Sequence, residues 1–257
     1  MKKTSQNKPP ANNDSAPVKK PKLLFVGEGP DDVGRDATPS GAAAGFLHAA
    51  LKGPSPPIDD DSLPFIIGKI QYWSKLTLQI PPNRRQQKNS TFEEMVATGS
   101  DGRRVLAAIT LARTLELDTV FVLKDCEQQD RFDLLKELRN AKHQFQANDP
   151  ADKPPSLVVA TPSRVHETWL LADSAAVRRV FGDQGVYSFS KSPEERPHSD
   201  ELKSHIKSHA IRCLMKPHEA RRQLAFQASP KSLKSRCPEC YPLFLEDVNQ
   251  ELRPLIP

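Results

Sequence analysis

The stretch LLFVGEGPDD, Leu23–Asp32, decides how this chain is read. Four apolar residues without alternation run into Gly27-Glu28-Gly29-Pro30, and two aspartates follow. A run of this kind fits a strand buried on both faces. The glycine turn after it either cradles a phosphate or mounts the acids beside it. A dinucleotide fingerprint needs G-x-G-x-x-G opening into a helix. Gly27 and Gly29 fit, but the third place is Asp32 and Gly34 falls too late. Pro30 removes an N–H that would hold a phosphate, and no Gly-Lys-Ser/Thr follows. Three carboxylates around the turn would also repel an anion. The turn is therefore a mount. Glycine on both sides lets the backbone bend and leaves Glu28 projecting from the strand end.

Three further β-type runs lie downstream, PFIIGKI (64–70), DTVFVL (118–123) and SLVVA (156–160). Helical patterns separate them. These are AAAGFLHAAL (42–51), GRRVLAAITLARTLEL (102–117) with Val105, Leu106, Ile109 and Ala112 on one face, and RFDLLKELRNAKHQF (131–145) with Phe132, Leu135 and Leu138 in register. Strands alternating with helices predict an α/β fold, a central parallel sheet of about four strands between helices. After Ala160 only short helices follow. The expected organisation is a disordered basic tail over 1–21, an α/β domain over 22–185 and a C-terminal helical region over 186–257.

The other strands also end in acids. After the third comes KDCEQQD, carrying Asp125, Glu127 and Asp130. After the fourth comes ATPSRVHETWLLAD, with Ser163 as the expected N-cap and Glu167 in the first helical turn. In a parallel sheet, strand ends of one polarity share one edge, where sites form. Three ends thus deliver carboxylates to one rim. Like charges brought that close raise each other's pKa unless a divalent cation neutralises them, and hard oxygen ligands suit Mg²⁺ or Mn²⁺. The candidate ligands are Glu28, Asp125, Glu127, Asp130 and Glu167. Each has an ordinary alternative: Glu28 as an acid beside a helix dipole, Asp130 as the N-cap of the next helix. Asp173 is a further acid of the same stretch, and Trp169 reads as core packing.

FVGEGPDD followed about a hundred residues later by VFVLKDCEQQD resembles the Toprim domain. That family has an apolar strand with a Glu-Gly turn and a later strand ending in an Asp-x-Asp pair. The resemblance gives Glu28 the place of the family's glutamate, Gly29 the glycine after it, and Asp125 and Glu127 the acid pair. The run VVATPSRVHETWLLAD resembles a stretch of a bacterial Toprim-like family of unknown function, similar to OLD-type nucleases. Its members often stand beside ABC/AAA-type ATPases in what are read as defence loci. The likeness covers roughly residues 22–245. Two positions depart from it: the second acid of the pair is Glu, and the first strand reads VGEG where V-E-G is usual.

The resemblance implies metal-dependent hydrolysis of phosphodiester bonds in DNA or RNA, with Asp125 and Glu127 on Mg²⁺ or Mn²⁺ and Glu28 as general base. The alternative is a non-catalytic subunit that binds or regulates a partner ATPase, which the altered acid pair motivates.

Charge is distributed unevenly. Residues 1–22 hold six lysines and one aspartate, equal to the formal net charge of +5 for all 257 residues. Residues 196–236 carry ten Lys/Arg against three acids. Arg221 and Arg222 there, with Arg84, Arg85 and Lys88 in the 79–90 loop, are the expected contacts for a nucleic-acid backbone. Solvated helix faces are the plainer explanation. His205, His209, Cys237 and Cys240 offer a further set for zinc, with Cys213 on the same helical stripe as the histidines; ordinary thiols and a solvent-facing stripe are the alternative. Four scattered cysteines and the lack of an apolar span lead us to expect a cytoplasmic protein with no membrane contact.

Overall fold

A computed structural model describes residues 19–34, 41–54, 63–77, 100–126, 129–148, 153–163, 165–190, 192–195 and 199–256. Strands β1 (Lys22–Gly27), β2 (Ile66–Tyr72), β3 (Thr119–Leu123) and β4 (Ser156–Ala160) form one sheet in the order β2-β1-β3-β4, parallel throughout. The helices are α1 (Pro30–Val33), α2 (Ala42–Lys52), α3 (Ser100–Thr114), α4 (Arg131–Asn148), α5 (Glu167–Ala172), α6 (Ser174–Phe181), α7 (Ser199–Arg212), α8 (Pro217–Gln227), α9 (Pro230–Arg236) and α10 (Tyr241–Asp247). The α/β class expected from the alternation is the fold observed.

The sheet is buried on both sides, which is why β1, β3 and β4 carry no polar alternation. Leu23, Phe25, Phe121, Leu123, Val158 and Ala160 face one core, while Leu24, Val26, Val120, Val122, Leu157 and Val159 face the other. β2 lies at an edge, and its mixed burial accounts for Lys69 and Gln71. It runs two residues later than the 64–70 motif, because its ladder opens with the Ile66 N–H donating to the Pro21 carbonyl.

α3 and α4 cover one face through Val105, Leu106, Ile109, Ala112, Leu134, Leu135 and Leu138. Phe132, expected in register with Leu135 and Leu138, is instead 52% exposed in the first turn of α4. The opposite face is closed by α2, α5 and the C-terminal helices, whose Leu202, Ile206, Leu224, Phe226, Tyr241 and Phe244 share a core with Phe46 and Trp169. Trp169 is fully buried and meets Phe46 and Tyr241 edge-on at 5.4 and 5.0 Å. On the far edge, Asp247 accepts the Val159 N–H at 3.1 Å and so blunts β4 against further pairing.

α2 and α8 cross at Gly45, where a Cβ would come within 2.6 Å of Ala225 Cβ and 2.8 Å of the Phe226 backbone nitrogen. Overpacking a seam this tight forces the helices apart. Gly45→Val is expected to lower stability by about 1–3 kcal/mol, read as a shifted urea midpoint at unchanged slope.

Candidate metal centre

From β1 the chain crosses to β2 on one side, and from β3 to β4 on the other, so the strand order reverses between β1 and β3. Open parallel sheets form their crevice past the carboxyl ends at such a reversal. The turns after β1 and β3 meet there, and the segment after β4 closes over them.

Gly27 shapes the first turn. A Cβ on it would lie 2.7 Å from Val33 Cγ1 and 2.9 Å from Asp32 Cβ, so only glycine lets α1 fold back on the strand end. The second glycine is not required in this way. Gly29 is extended at φ −154°, with open space where its Cβ would be. Its N–H donates to Asp32 Oδ2 at 2.8 Å, which fixes the Asp32 carboxylate.

The other oxygen, Asp32 Oδ1, lies 3.2 Å from His166 Nδ1. Asp125 Oδ1 accepts the His166 backbone N–H at 2.8 Å and stands 3.6 Å from the same ring nitrogen. Glu167 Oε2 is 3.7 Å from it. Glu167 Oε1 accepts from Arg221 Nε at 3.0 Å and lies 2.9 Å from Arg221 Nη2, while Arg221 Nη1 is 3.3 Å from Asp31 Oδ2. Asp125, His166 and Glu167 each bring one ligand atom within 4.8 Å of the other two, and all three residues are buried. This group could hold a metal ion. Both ring nitrogens of His166 and Glu167 Oε2 are buried without a hydrogen bond. Buried polar atoms are nearly always satisfied, and one left bare costs about 1–3 kcal/mol. Once the imidazole is deprotonated, one of its nitrogens and Glu167 Oε2 have lone pairs that a cation would take up.

The electrostatics show how the cluster balances itself. Burial works against a charged imidazole, yet Glu167, Asp32 and Asp125 overcome it and hold His166 up at about 10. Burial likewise raises Asp32, helped by Asp125 and opposed by His166. For Glu167 burial is outweighed by His166 and Arg221, and the carboxyl lies below its ordinary range. A histidine raised from 6.5 to about 10 adds stability that is present in full below pH 6.5 and is lost as pH climbs through 10. In EDTA, the unfolding midpoint is expected to fall between pH 6.5 and 10, and to fall less in His166→Gln. Thermal melts across that range check it.

The structure distributes the sequence candidates unevenly. Asp125 and Glu167 enter the group. Glu28 stands beside it, its Oε1 accepting from Lys124 Nζ at 2.5 Å, while the same ammonium donates to the Asp125 carbonyl at 3.1 Å. Asp130 is exposed and caps α4, accepting from the N–H groups of Phe132 and Asp133 at 2.9 and 3.1 Å. Its place is the helix start, because its carboxylate is used on two orphan amides. Asp173 likewise caps α6 and also accepts the Ser229 N–H at 2.7 Å. Ser163 is not the cap expected of it: its hydroxyl donates to the Glu194 carbonyl, and α5 begins after His166. Glu127, Arg84, Arg85 and Lys88 lie outside the described residues.

Arg221, read as a contact for a nucleic-acid backbone, turns inward and is spent on Glu167 and Asp31. Arg222 is half-buried and pairs with Glu219 at 2.6 Å. Two residues of the cluster escaped the sequence analysis. His166 directly precedes Glu167, so its signal was an imidazole next to a strand-end acid. Asp32 was seen only as the residue that spoils a phosphate fingerprint. The zinc set does not assemble among the described residues. His205 bonds the Gly185 carbonyl and meets the tilted ring of His209 at 4.5 Å between centroids, Cys213 is exposed, and Cys237 and Cys240 are buried. Burial pushes the Cys237 thiol up, which keeps it neutral.

Among the described residues no helix is long and apolar enough to cross a membrane. Comparison of the chain with protein-family models, curated proteins and solved structures returns no match.

Proposed function

We propose that the chain binds a divalent cation at Asp125, His166 and Glu167 and hydrolyses phosphodiester bonds of nucleic acid at that rim. The observation that carries this reading is the convergence of these three buried side chains where the strand order reverses, with the His166 ring nitrogens and Glu167 Oε2 unbonded. The Toprim resemblance supports it by supplying the reaction. A set of one imidazole and two carboxylates suits Mn²⁺ better than Mg²⁺, which prefers oxygen alone. When bound, the cation polarises a phosphoryl oxygen and acidifies a water.

The remaining roles belong to the chain. Asp32 and Asp125 hold the imidazole in place, and Arg221 fixes the second oxygen of Glu167. Glu28, at the exposed end of β1, takes the proton of the attacking water. Lys124 orients that carboxylate.

The test is incubation of purified protein with plasmid, single-stranded DNA and tRNA in Mn²⁺, Mg²⁺ or EDTA. Cleavage is expected with Mn²⁺, none with EDTA, and a loss of about a hundredfold in Glu28→Gln. One observation favours the second reading, a non-catalytic subunit on an ABC/AAA-type ATPase: Glu28 is engaged by Lys124. That reading predicts bound metal with no cleavage, even when a partner ATPase is added.

A further inference from the structure

α7 ends in a Schellman turn, with the Leu214 N–H donating to the Ile211 carbonyl at 3.0 Å and the Met215 N–H to the Ala210 carbonyl at 2.8 Å. The residue after such a helix adopts a left-handed conformation and is usually glycine. Here it is Leu214, at φ 54°. The apolar contact this motif uses to seat itself is made by Met215, which packs against the core. Leu214 does none of that work and is 97% exposed, beside Ile211 at 59%. Among the described residues, the other non-glycine in this conformation is Glu116, which follows α3 with a side chain that water solvates well. A leucine that strains the backbone to stand in water calls for a partner.

The surroundings give the partner's charge. Lys203, Lys207 and Ile211 follow at four-residue spacing on α7, a single stripe, and all three are exposed. Arg212 and Lys216 flank the tip, and neither they nor the two lysines form an ion pair among the described residues. From Lys203 to Ile211 is about 12 Å of helix, the length of three to four nucleotide steps at about 3.4 Å. α7 packs against α5, the helix that opens with Glu167, so the stripe lies on a helix adjoining the metal centre. The turn leads straight into α8, where Arg221 stands one helical turn after Pro217.

We propose that the α7–α8 turn is a nucleic-acid contact in which Leu214 and Ile211 wedge between bases while Lys203, Lys207, Arg212 and Lys216 hold backbone phosphates. An apolar wedge ringed by cations is a known way for side chains to unstack a base step. The proposal rests on the reading that the rim acts on phosphodiesters, and it names where that substrate is gripped.

Leu214→Gly tests it, because glycine relieves the strained conformation and leaves the fold intact or firmer. Binding is measured in EDTA by anisotropy of a fluorescein-labelled DNA duplex and an RNA stem, so failure of the cleavage reading leaves this measurement standing. The wild type is expected to bind at least one of the two and to brighten 2-aminopurine at the unstacked step. Leu214→Gly is expected to bind about tenfold more weakly, to lose the brightening, and to melt no lower than wild type. Lys207→Gln/Lys216→Gln should reduce the slope of log affinity against log salt by about two. Equal affinity of wild type and Leu214→Gly overturns the wedge. So does wild type that binds neither nucleic acid, or that binds phosphatidylserine vesicles through Leu214 instead.

Discussion

Replacing Arg221 with methionine will destabilise the metal-free protein by about 3–5 kcal/mol, one of the two largest effects this structure predicts. Arg221 lies on α8, and its guanidinium spans Glu167 at the start of α5 and Asp31 in α1. It therefore ties the C-terminal helices to the rim of the sheet. Glu167 is only 1% exposed. Without the guanidinium its charge stays buried with His166 as the remaining cation, and an uncompensated buried charge costs far more than a surface pair returns. The double variant Arg221→Met/Glu167→Gln should recover most of the loss, since both charges go together. Urea denaturation in EDTA measures both. A change below about 1 kcal/mol in the single variant would mean that water reaches Glu167.

Asp125→Asn will have its larger effect on metal binding, with a smaller cost to the fold. An asparagine oxygen still accepts the His166 backbone N–H that Asp125 Oδ1 takes at 2.8 Å. Loss of the charge relieves the repulsion that raises Asp32, but it also removes one of the three carboxylates that hold His166 charged. Stability in EDTA should therefore fall by about 1–2 kcal/mol with the fold retained. The ligand atom, however, becomes a neutral amide. Losing an outer partner of a metal site costs roughly 10–100-fold in affinity, and a ligand itself costs more. Mn²⁺ affinity, measured calorimetrically, is expected to fall by more than about a hundredfold, with cleavage falling to background. Retained affinity would remove Asp125 from the site.

Much of this arrangement could be seen in the chain before any coordinates. Three apolar runs without alternation required a sheet buried on both faces, and parallel strands required their ends to share a rim. Asp125 and Glu167 followed from that geometry alone. His166 did not, because it belongs to no periodic pattern and stands just ahead of a six-residue helix. Only the tertiary approach of Asp32 and Asp125 gives it a role. Arg221 was misplaced for a different reason. The basic run around it drew attention, yet Arg221 shares a helical stripe with Ala225, which is fully buried. Its inward direction was written in the spacing. Glu28 follows β1 directly, but the Lys124 that engages it follows β3 and is remote in the chain.

Every proposed chemical role here requires a cation held by Asp125, His166 and Glu167. Anomalous diffraction from crystals grown in Mn²⁺, collected at the manganese edge, tests this most directly. A peak within ligand distance of Asp125 Oδ, an imidazole nitrogen of His166 and Glu167 Oε2 is the predicted result. A fully ordered cluster with no peak, or manganese bound only elsewhere, would contradict it.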